Sequence, residues 1–149
     1  MSSPVIELSA VTKSYGAGDA RTPVLRGVSL SIEAGDYVAL MGASGSGKST
    51  MMNLMGLLDR CDQGSLKLQG QEAAQLDLDV QARMRNQYIG FVFQSFNLLR
   101  RVTVLENVAL PLLYAGTSRG KAMRAAQRQL DAVGLGTYGA RLPSQLSGG

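Results

Sequence analysis

The N-terminal half of the chain carries the hydrophobic patterns of β-strands. Residues 5–11 are mostly apolar, and apolar and polar residues alternate at 28–33 and again at 65–69. Alternation with a period of two predicts strands with one solvated face. Continuous apolar runs at 37–41 and 89–93 predict two further strands, each buried on both faces of a parallel sheet.

Helical patterns occupy most of the remaining chain. Four segments have the periodicity or composition of helices: 48–58, 77–85, 104–114 and 120–133. Residues 48–58 are apolar on nearly every side, so we expect that helix to be buried between layers. Pro111 interrupts the third segment, and Gly134 ends the fourth. The elements follow one another in the order strands, then mixed α and β elements, then helices, and this order predicts an α/β fold. A chain of 149 residues is long enough for one domain.

A glycine-rich loop joins the predicted strand 37–41 to the predicted helix 48–58. Its sequence, GASGSGKST, matches the phosphate-binding pattern G-x-x-x-x-G-K-[ST]. Glycines let successive N–H groups point at phosphates, and the helix N-terminus adds a positive dipole end. Lys48 supplies an ammonium for the β- and γ-phosphates, and the Ser49 hydroxyl is placed to bind Mg²⁺. The residues predicted to contact the nucleotide here are Gly42, Ala43, Ser44, Gly45, Ser46, Gly47, Lys48, Ser49 and Thr50. The strand–loop–helix context favours this site over a chance glycine-rich turn.

Composition excludes several kinds of chemistry. With 45% hydrophobic and 17% charged residues, the chain has a globular rather than a disordered composition. One cysteine excludes an intramolecular disulfide, and the absence of histidine excludes histidine catalysis. Met1–Pro4 has no feature of a signal peptide, and the longest apolar stretches are too short to cross a bilayer. We therefore expect any membrane association to come through a partner.

The net charge of +4 is modest, and several of its basic residues cluster in one segment, at 119–128. Lys121, Arg124 and Arg128 fall on one side of a predicted helix. No aromatic residues interleave with them as a stacking surface would require. A solvated helix face is therefore favoured over a nucleic-acid patch.

Three motifs, in this order, resemble the nucleotide-binding domain of an ABC transporter. They are the loop Gly42–Thr50, Gln94 after an apolar run, and the ending Leu146-Ser147-Gly148-Gly149. The resemblance covers the whole chain. Segments 89–99 and 105–113 are similar to ATPase subunits of the lipoprotein-releasing and macrolide-export type, although related amino-acid and peptide exporters have similar stretches.

The resemblance implies a fold and a set of partners. The fold is a P-loop NTPase with a β-rich N-terminal part, a parallel-sheet core over 1–95 and a helical subdomain over 96–149. It also implies ATP and Mg²⁺, a transmembrane permease subunit or domain, and a second ATP-binding subunit packed head to tail. The implied location is the cytoplasmic face of the inner or plasma membrane.

The resemblance also assigns roles to residues outside the phosphate loop. Tyr15 occupies the position of an aromatic that stacks on adenine, or is a loop tyrosine with no ligand. Gln94 matches a catalytic glutamine that reaches Mg²⁺ and the attacking water, or is a polar residue at a strand end. Ser147, Gly148 and Gly149 match the signature segment, which caps the γ-phosphate on the opposite subunit. Phe96–Leu99 would face the membrane partner, or pack in the core.

Groups that the family uses for hydrolysis are missing from this sequence. In that family an apolar strand ends in Asp-Glu and a later histidine senses the γ-phosphate, but the chain has no such run and no histidine. We therefore expect the fold to be incomplete at its C-terminus and hydrolysis to be slow or absent. The missing strand would leave a sheet edge exposed, so we expect poor solubility or marginal folding.

Two alternatives remain at this stage. The first is a truncated nucleotide-binding remnant without transport function. The second is an unrelated P-loop protein, such as a small kinase or GTPase. The chain lacks the Asn-Lys-x-Asp motif of GTPases, and the ending Leu-Ser-Gly-Gly argues against both classes.

Overall fold

The computed structural model describes residues 4–73, 75–93 and 97–146 and divides the chain into two compact units, Met1–Arg85 and Asn86–Gly149. The predicted division between core portion and helical subdomain, at residue 95, falls among residues that are not described. The two units are considered separately below.

The described part of the first unit is built on a four-stranded sheet. Its strands are β1 (Ile6–Tyr15), β2 (Thr22–Ile32), β3 (Gln63–Leu68) and β4 (Gln71–Glu72). All neighbouring pairs are antiparallel, in the order β2-β1-β3-β4. The apolar run at 5–11 and the two alternating patterns therefore located three of these strands, and a short 3₁₀ turn at Gly18–Ala20 joins β1 to β2.

A bulge in β1 explains why β3 has a glycine at position 64. The pairing of β1 with both neighbours shifts register around Ala10, which has a φ of +48° and donates its N–H to the Ser29 hydroxyl at 2.9 Å. A Cβ at Gly64 would lie 2.6 Å from the carbonyl oxygens of Ser9 and Ala10. Only glycine allows β3 to approach the bulge this closely.

The described part of the first unit also contains α1 (Lys48–Met55) and most of α2 (Leu78–Tyr88), which ends three residues beyond Arg85. Met51, Leu54 and Met55 form the buried side of α1. Met52 on the same helix is 54% exposed. The prediction that this helix is buried on nearly all sides therefore holds for one face only.

The two predicted parallel strands at 37–41 and 89–93 do not form among the described residues. Neither segment pairs with a described strand, and the side chains of Tyr37, Met41 and Val92 are almost fully exposed. A strand buried in a parallel sheet needs hydrogen-bonding neighbours and layers covering its faces. The described residues supply neither, so the strand assignment is wrong for these two runs although their apolar character is real.

The described part of the second unit is helical. It contains α3 (Val104–Tyr114), α4 (Arg119–Ala132) and 3₁₀ turns at Gly136–Tyr138 and Pro143–Gln145. The bounds of α3 and α4 agree with the predicted helices to within a residue, but α3 continues through Pro111. The helices pack through a buried cluster of small side chains, Ala109, Ala122 and Ala126.

Candidate phosphate-binding site

The glycine-rich loop lies directly before α1. Gly45 and Gly47 have φ values of +79° and +89°, in the left-handed region that residues with a Cβ rarely adopt. Gly47 is the N-cap of α1, whose first turn carries Lys48, Ser49 and Thr50. The loop therefore ends at a helix N-terminus, where unpaired N–H groups and the helix dipole favour an anion.

A side chain at either of two loop glycines would crowd its neighbours. A Cβ at Gly47 would lie 3.0 Å from Leu25 Cδ2 and 3.2 Å from Val24 Cγ1, both on β2. A Cβ at Gly42 would lie 2.7 Å from the Ser46 hydroxyl. The sequence pattern predicted the glycines but not the β2 residues against which the loop is seated.

Lys48 crosses the loop and binds its backbone. The ammonium donates to the carbonyl oxygens of Gly42 at 2.8 Å and Ala43 at 2.7 Å, and lies 3.3 Å from the Ser46 hydroxyl. All three of these acceptors are neutral groups of the loop itself. Phosphate oxygens are stronger acceptors for an ammonium than carbonyl groups are, so these contacts are ones that an anion can replace.

The remaining loop residues differ in exposure. Ala43, Ser44, Ser46 and Ser49 are exposed, whereas Thr50 is only 9% exposed. Thr50 therefore packs with the buried side of α1, and the Ser49 hydroxyl is open to a ligand. Hydroxyl and phosphate oxygens are the hard donors that Mg²⁺ prefers. Among the described residues no group of three acidic, cysteine or histidine side chains could hold a metal ion.

Tyr15 stands at the end of β1, where it pairs with Thr22 of β2. Its side chain is 42% exposed, and its hydroxyl donates to Asp59 Oδ2 at 2.7 Å. The ammonium of Lys13 lies 5.1 Å from the centre of the tyrosine ring and 2.6 Å from Asp59 Oδ1. Sequence reasoning missed Lys13 and Asp59, because these contacts join residues more than 40 positions apart and no local pattern indicates them.

Two carboxylates tie the end of β1 to the segment after α1. Burial raises the pKa of Asp59, but hydrogen bonds from Lys13, Tyr15 and the backbone outweigh burial and leave that pKa below the ordinary 3.8. The Arg21 guanidinium, 2.6 Å from Asp62, lowers the pKa of that carboxyl, which also accepts the Ser14 N–H at 2.8 Å. Both groups are therefore ionised at neutral pH.

Several predicted site residues cannot be placed. Gln94, Ser147, Gly148, Gly149 and Phe96 lie outside the described residues. Of the predicted membrane-facing segment, Leu98 is 39% exposed and Leu99 is 51% exposed.

The basic residues of α4 have the expected surroundings. Lys121, Arg124 and Arg128 are exposed, in agreement with a solvated helix face. Within the described ranges, the helices are too short or too polar to span a membrane.

Comparison with known proteins gives one consistent result. A family model described as ABC transporter matches residues 25–149. The macrolide export ATP-binding/permease protein MacB of Marinobacter nauticus is 47% identical over 146 residues, which cover 98% of this chain and 23% of the relative. MacB of Rhodopirellula baltica is 50% identical over 147 residues, which cover 97% of this chain and 22% of the relative.

A solved structure agrees with these sequence matches. The dimeric ATP-binding cassette MJ0796, in a post-hydrolysis state bound to ADP and Pi, superimposes with a TM-score of 0.85 at 39% identity. The match covers 96% of this chain and 63% of the solved chain. The chain thus spans less than a quarter of the curated relatives and under two thirds of the cassette. The predicted cassette fold is confirmed, and this chain belongs to the ABC transporter family.

Proposed function

We propose that this chain is the ATP-binding part of an ABC transport ATPase and that it binds MgATP at the loop 42–50. The observation that carries the proposal is the loop itself. It combines left-handed glycines, a helix N-terminus, and a lysine ammonium held by carbonyl oxygens that phosphate can displace. The solved cassette bound to ADP and Pi supports the choice of nucleotide.

Each part of the loop has a chemical role in this proposal. Backbone N–H groups of the loop and of the first turn of α1 bind the phosphates, and Lys48 exchanges its bonds to Gly42 and Ala43 for phosphate oxygens. Ser49 supplies a hydroxyl oxygen to magnesium, which when bound neutralises phosphate charge. The ring of Tyr15 offers a flat face to the adenine.

Titration of the 149-residue chain with ATP and Mg²⁺ tests the site. Replacing Lys48→Ala removes a charge-assisted contact and should weaken ATP binding about 10- to 100-fold. Lys121→Ala removes the same charge from an exposed position on α4 and should leave the affinity within about twofold. Equal affinity of the parent chain and the Lys48→Ala variant would disprove the assignment of the loop.

We further propose roles for residues outside the described ranges. Gln94 orients the attacking water, and Ser147–Gly149 cap the γ-phosphate of a second subunit. In a complete protein, Gln94→Ala should leave ATP affinity nearly unchanged and reduce the rate of phosphate release. A normal rate in that variant would make Gln94 a structural residue.

In the complete protein we propose that ATP binding and hydrolysis drive export of macrolides or related compounds, or release of lipoproteins, through a membrane partner. The relatives are named ATP-binding/permease proteins, and the solved cassette is dimeric. These names support a permease subunit or domain and a second ATP-binding subunit. We also propose a position at the cytoplasmic face of the membrane.

We infer that the 149-residue chain alone binds ATP without efficient turnover. Its sequence has no apolar run ending in Asp-Glu and no histidine, so it lacks the groups that would position water and sense the γ-phosphate. Phosphate release should therefore match that of the Lys48→Ala variant within error. Sustained release that depends on Lys48 would overturn this inference.

A further inference from the structure

The ion pair between Lys13 and Asp59 contacts Tyr15 at its hydroxyl and at one face of its ring. Asp59 accepts the tyrosine hydroxyl through Oδ2 and the Lys13 ammonium through Oδ1, at 2.7 and 2.6 Å. The same ammonium donates to the Arg60 carbonyl at 2.6 Å and lies 5.1 Å from the tyrosine ring centre. Asp59 therefore fixes the far end of the tyrosine, and Lys13 occupies one face of the ring.

We propose that Lys13 and Asp59 are positioning residues that hold the Tyr15 ring with its free face toward the adenine of bound ATP. The inference rests on the proposed function, in which Tyr15 receives the base. It goes further by assigning base recognition to two residues that do not touch the nucleotide.

The strand register brings Tyr15 close to the phosphate loop. Lys13 pairs with Leu25, and Leu25 is the residue against which Gly47 of the loop is packed. Tyr15 follows two residues later on β1, roughly 7 Å along the strand. A nucleotide with its phosphates on the loop can therefore place its base at the end of β1.

The burial of Lys13 indicates that its position is fixed. Lys13 is only 9% exposed, and its charge is matched by Asp59 and by the Arg60 carbonyl. A buried ammonium with these partners has little freedom, so the ring face above which it lies is closed to other ligands. Tyr15 is 42% exposed, so part of its side chain remains open to a ligand.

The hydroxyl bond sets the orientation of the ring. An exposed tyrosine at a strand end otherwise rotates among several side-chain conformers, and stacking on a base requires one of them. A charge-assisted bond to Asp59 selects one conformer before ATP arrives, so less conformational entropy is lost on binding. Removal of Asp59 should therefore weaken binding of the base and leave binding of the phosphates unchanged.

Comparison of two ligands separates these contributions. The dissociation constants of ATP and of inorganic tripolyphosphate, each with Mg²⁺, are measured on the 149-residue chain and its variants. Asp59→Ala should weaken ATP binding about 3- to 10-fold and change tripolyphosphate binding less than twofold. Asp59→Asn, which still accepts the tyrosine hydroxyl, should recover most of the ATP affinity.

Asp62→Ala is the matched control. Asp62 also ties the segment after α1 to the sheet, through Arg21 and the Ser14 N–H, but the described contacts of Asp62 do not include Tyr15. This variant should affect ATP and tripolyphosphate alike. Equal losses for both ligands in Asp59→Ala would show that Asp59 is only a structural tie and would overturn the inference.

Tyr15→Ala distinguishes failure of the inference from failure of the proposed function. Loss of stacking should weaken ATP binding about tenfold without affecting tripolyphosphate. If Tyr15→Ala shows this selectivity and neither Asp59 variant does, only the inference fails. If Tyr15→Ala shows no selectivity, the adenine contact and the inference built on it fail together.

Discussion

At the scale of single residues, Gly47 is where the phosphate loop meets the sheet. A Cβ there would lie 3.0 Å from Leu25 Cδ2, and the backbone φ is +89°. Gly47→Ala therefore combines left-handed strain with a contact that Leu25 must relieve. We expect the free energy of unfolding to fall by about 2–4 kcal/mol, as measured by urea denaturation.

Gly45→Ala is the natural comparison for this substitution. Gly45 has a similar φ of +79°, but nothing lies within 4 Å of the position its Cβ would take. It should lose only the strain contribution, about 1–2 kcal/mol. Equal losses in the two variants would mean that contact with β2 does not restrict the loop.

Asn107 is a second residue whose role depends on contacts remote from any motif. Its amide oxygen accepts the Leu99 N–H at 2.8 Å, and its amide nitrogen donates to the carbonyls of Leu99, Val102 and Thr103. Because Asn107 is 9% exposed, Asn107→Ala would leave the Leu99 N–H without this acceptor and the Val102 carbonyl without this donor. The carbonyls of Leu99 and Thr103 would each keep a backbone N–H donor. We expect a loss of about 2–4 kcal/mol in unfolding free energy and faster hydrogen exchange at the Leu99 amide.

Asn53→Ala is the control for Asn107→Ala. Asn53 is an exposed asparagine on α1, so its replacement should change stability by less than about 0.5 kcal/mol. Unchanged exchange at Leu99 in the Asn107 variant would contradict the proposed anchoring of the segment before α3.

At the scale of elements, the start of α3 contains a pH-sensitive cap. Thr103 and Glu106 form a capping box, and Arg119 of α4 lies 2.8 Å from Glu106. The backbone N–H of Thr103, and then Arg119, lower the pKa of Glu106 below the ordinary 4.5. A carboxyl with a lowered folded pKa contributes stability above its unfolded pKa and loses it as the pH falls through the folded value.

Glu106→Gln tests this cap. Glutamine can still accept the Thr103 N–H but has no charge for Arg119, so the variant should be less stable than the parent chain at pH 7. The difference in unfolding midpoint should shrink as the pH falls below 4.5 and Glu106 becomes protonated. A difference that stays constant from neutral to acidic pH would show that the charge of Glu106 does not contribute.

At the scale of the whole molecule, elements defined by local pattern were predictable and pairings between distant segments were not. The helices α3 and α4 follow from their periodicity and their capping or stop residues. Strands β2 and β3 follow from alternation, and β1 follows from an apolar run. The runs 37–41 and 89–93 have the composition of buried strands, but composition does not specify whether partner strands lie beside them.

In the candidate site, too, residues fixed by a local pattern could be predicted and contacts between distant segments could not. The loop pattern specifies Gly42, Gly47 and Lys48, because local backbone geometry requires the glycines and phosphate charge requires the lysine. The support of Tyr15 by Lys13 and Asp59 could not be predicted, because it depends on how β1 packs beside the segment after α1. Those contacts arise only when the sheet has formed.

The exposed apolar run 37–41 leads to a prediction about self-association. Tyr37 is 98% exposed and Met41 is 89% exposed, and the backbone between them has no ladder partner among the described residues. Unpaired backbone beside apolar side chains favours pairing between chains. We expect light scattering of the 149-residue chain to rise with concentration, and the double variant Tyr37→Lys, Met41→Lys to reduce that rise.

The double variant Tyr114→Lys, Val133→Lys separates this effect from added charge. Tyr114 is 77% exposed and Val133 is 68% exposed, but both lie on or beside helices whose backbone groups are bonded within the helix. The two pairs of substitutions add the same positive charge, so general repulsion acts equally in both. If both double variants reduce the association equally, net charge controls it. If only Tyr37→Lys, Met41→Lys reduces the association, chains associate through the unpaired segment before the phosphate loop.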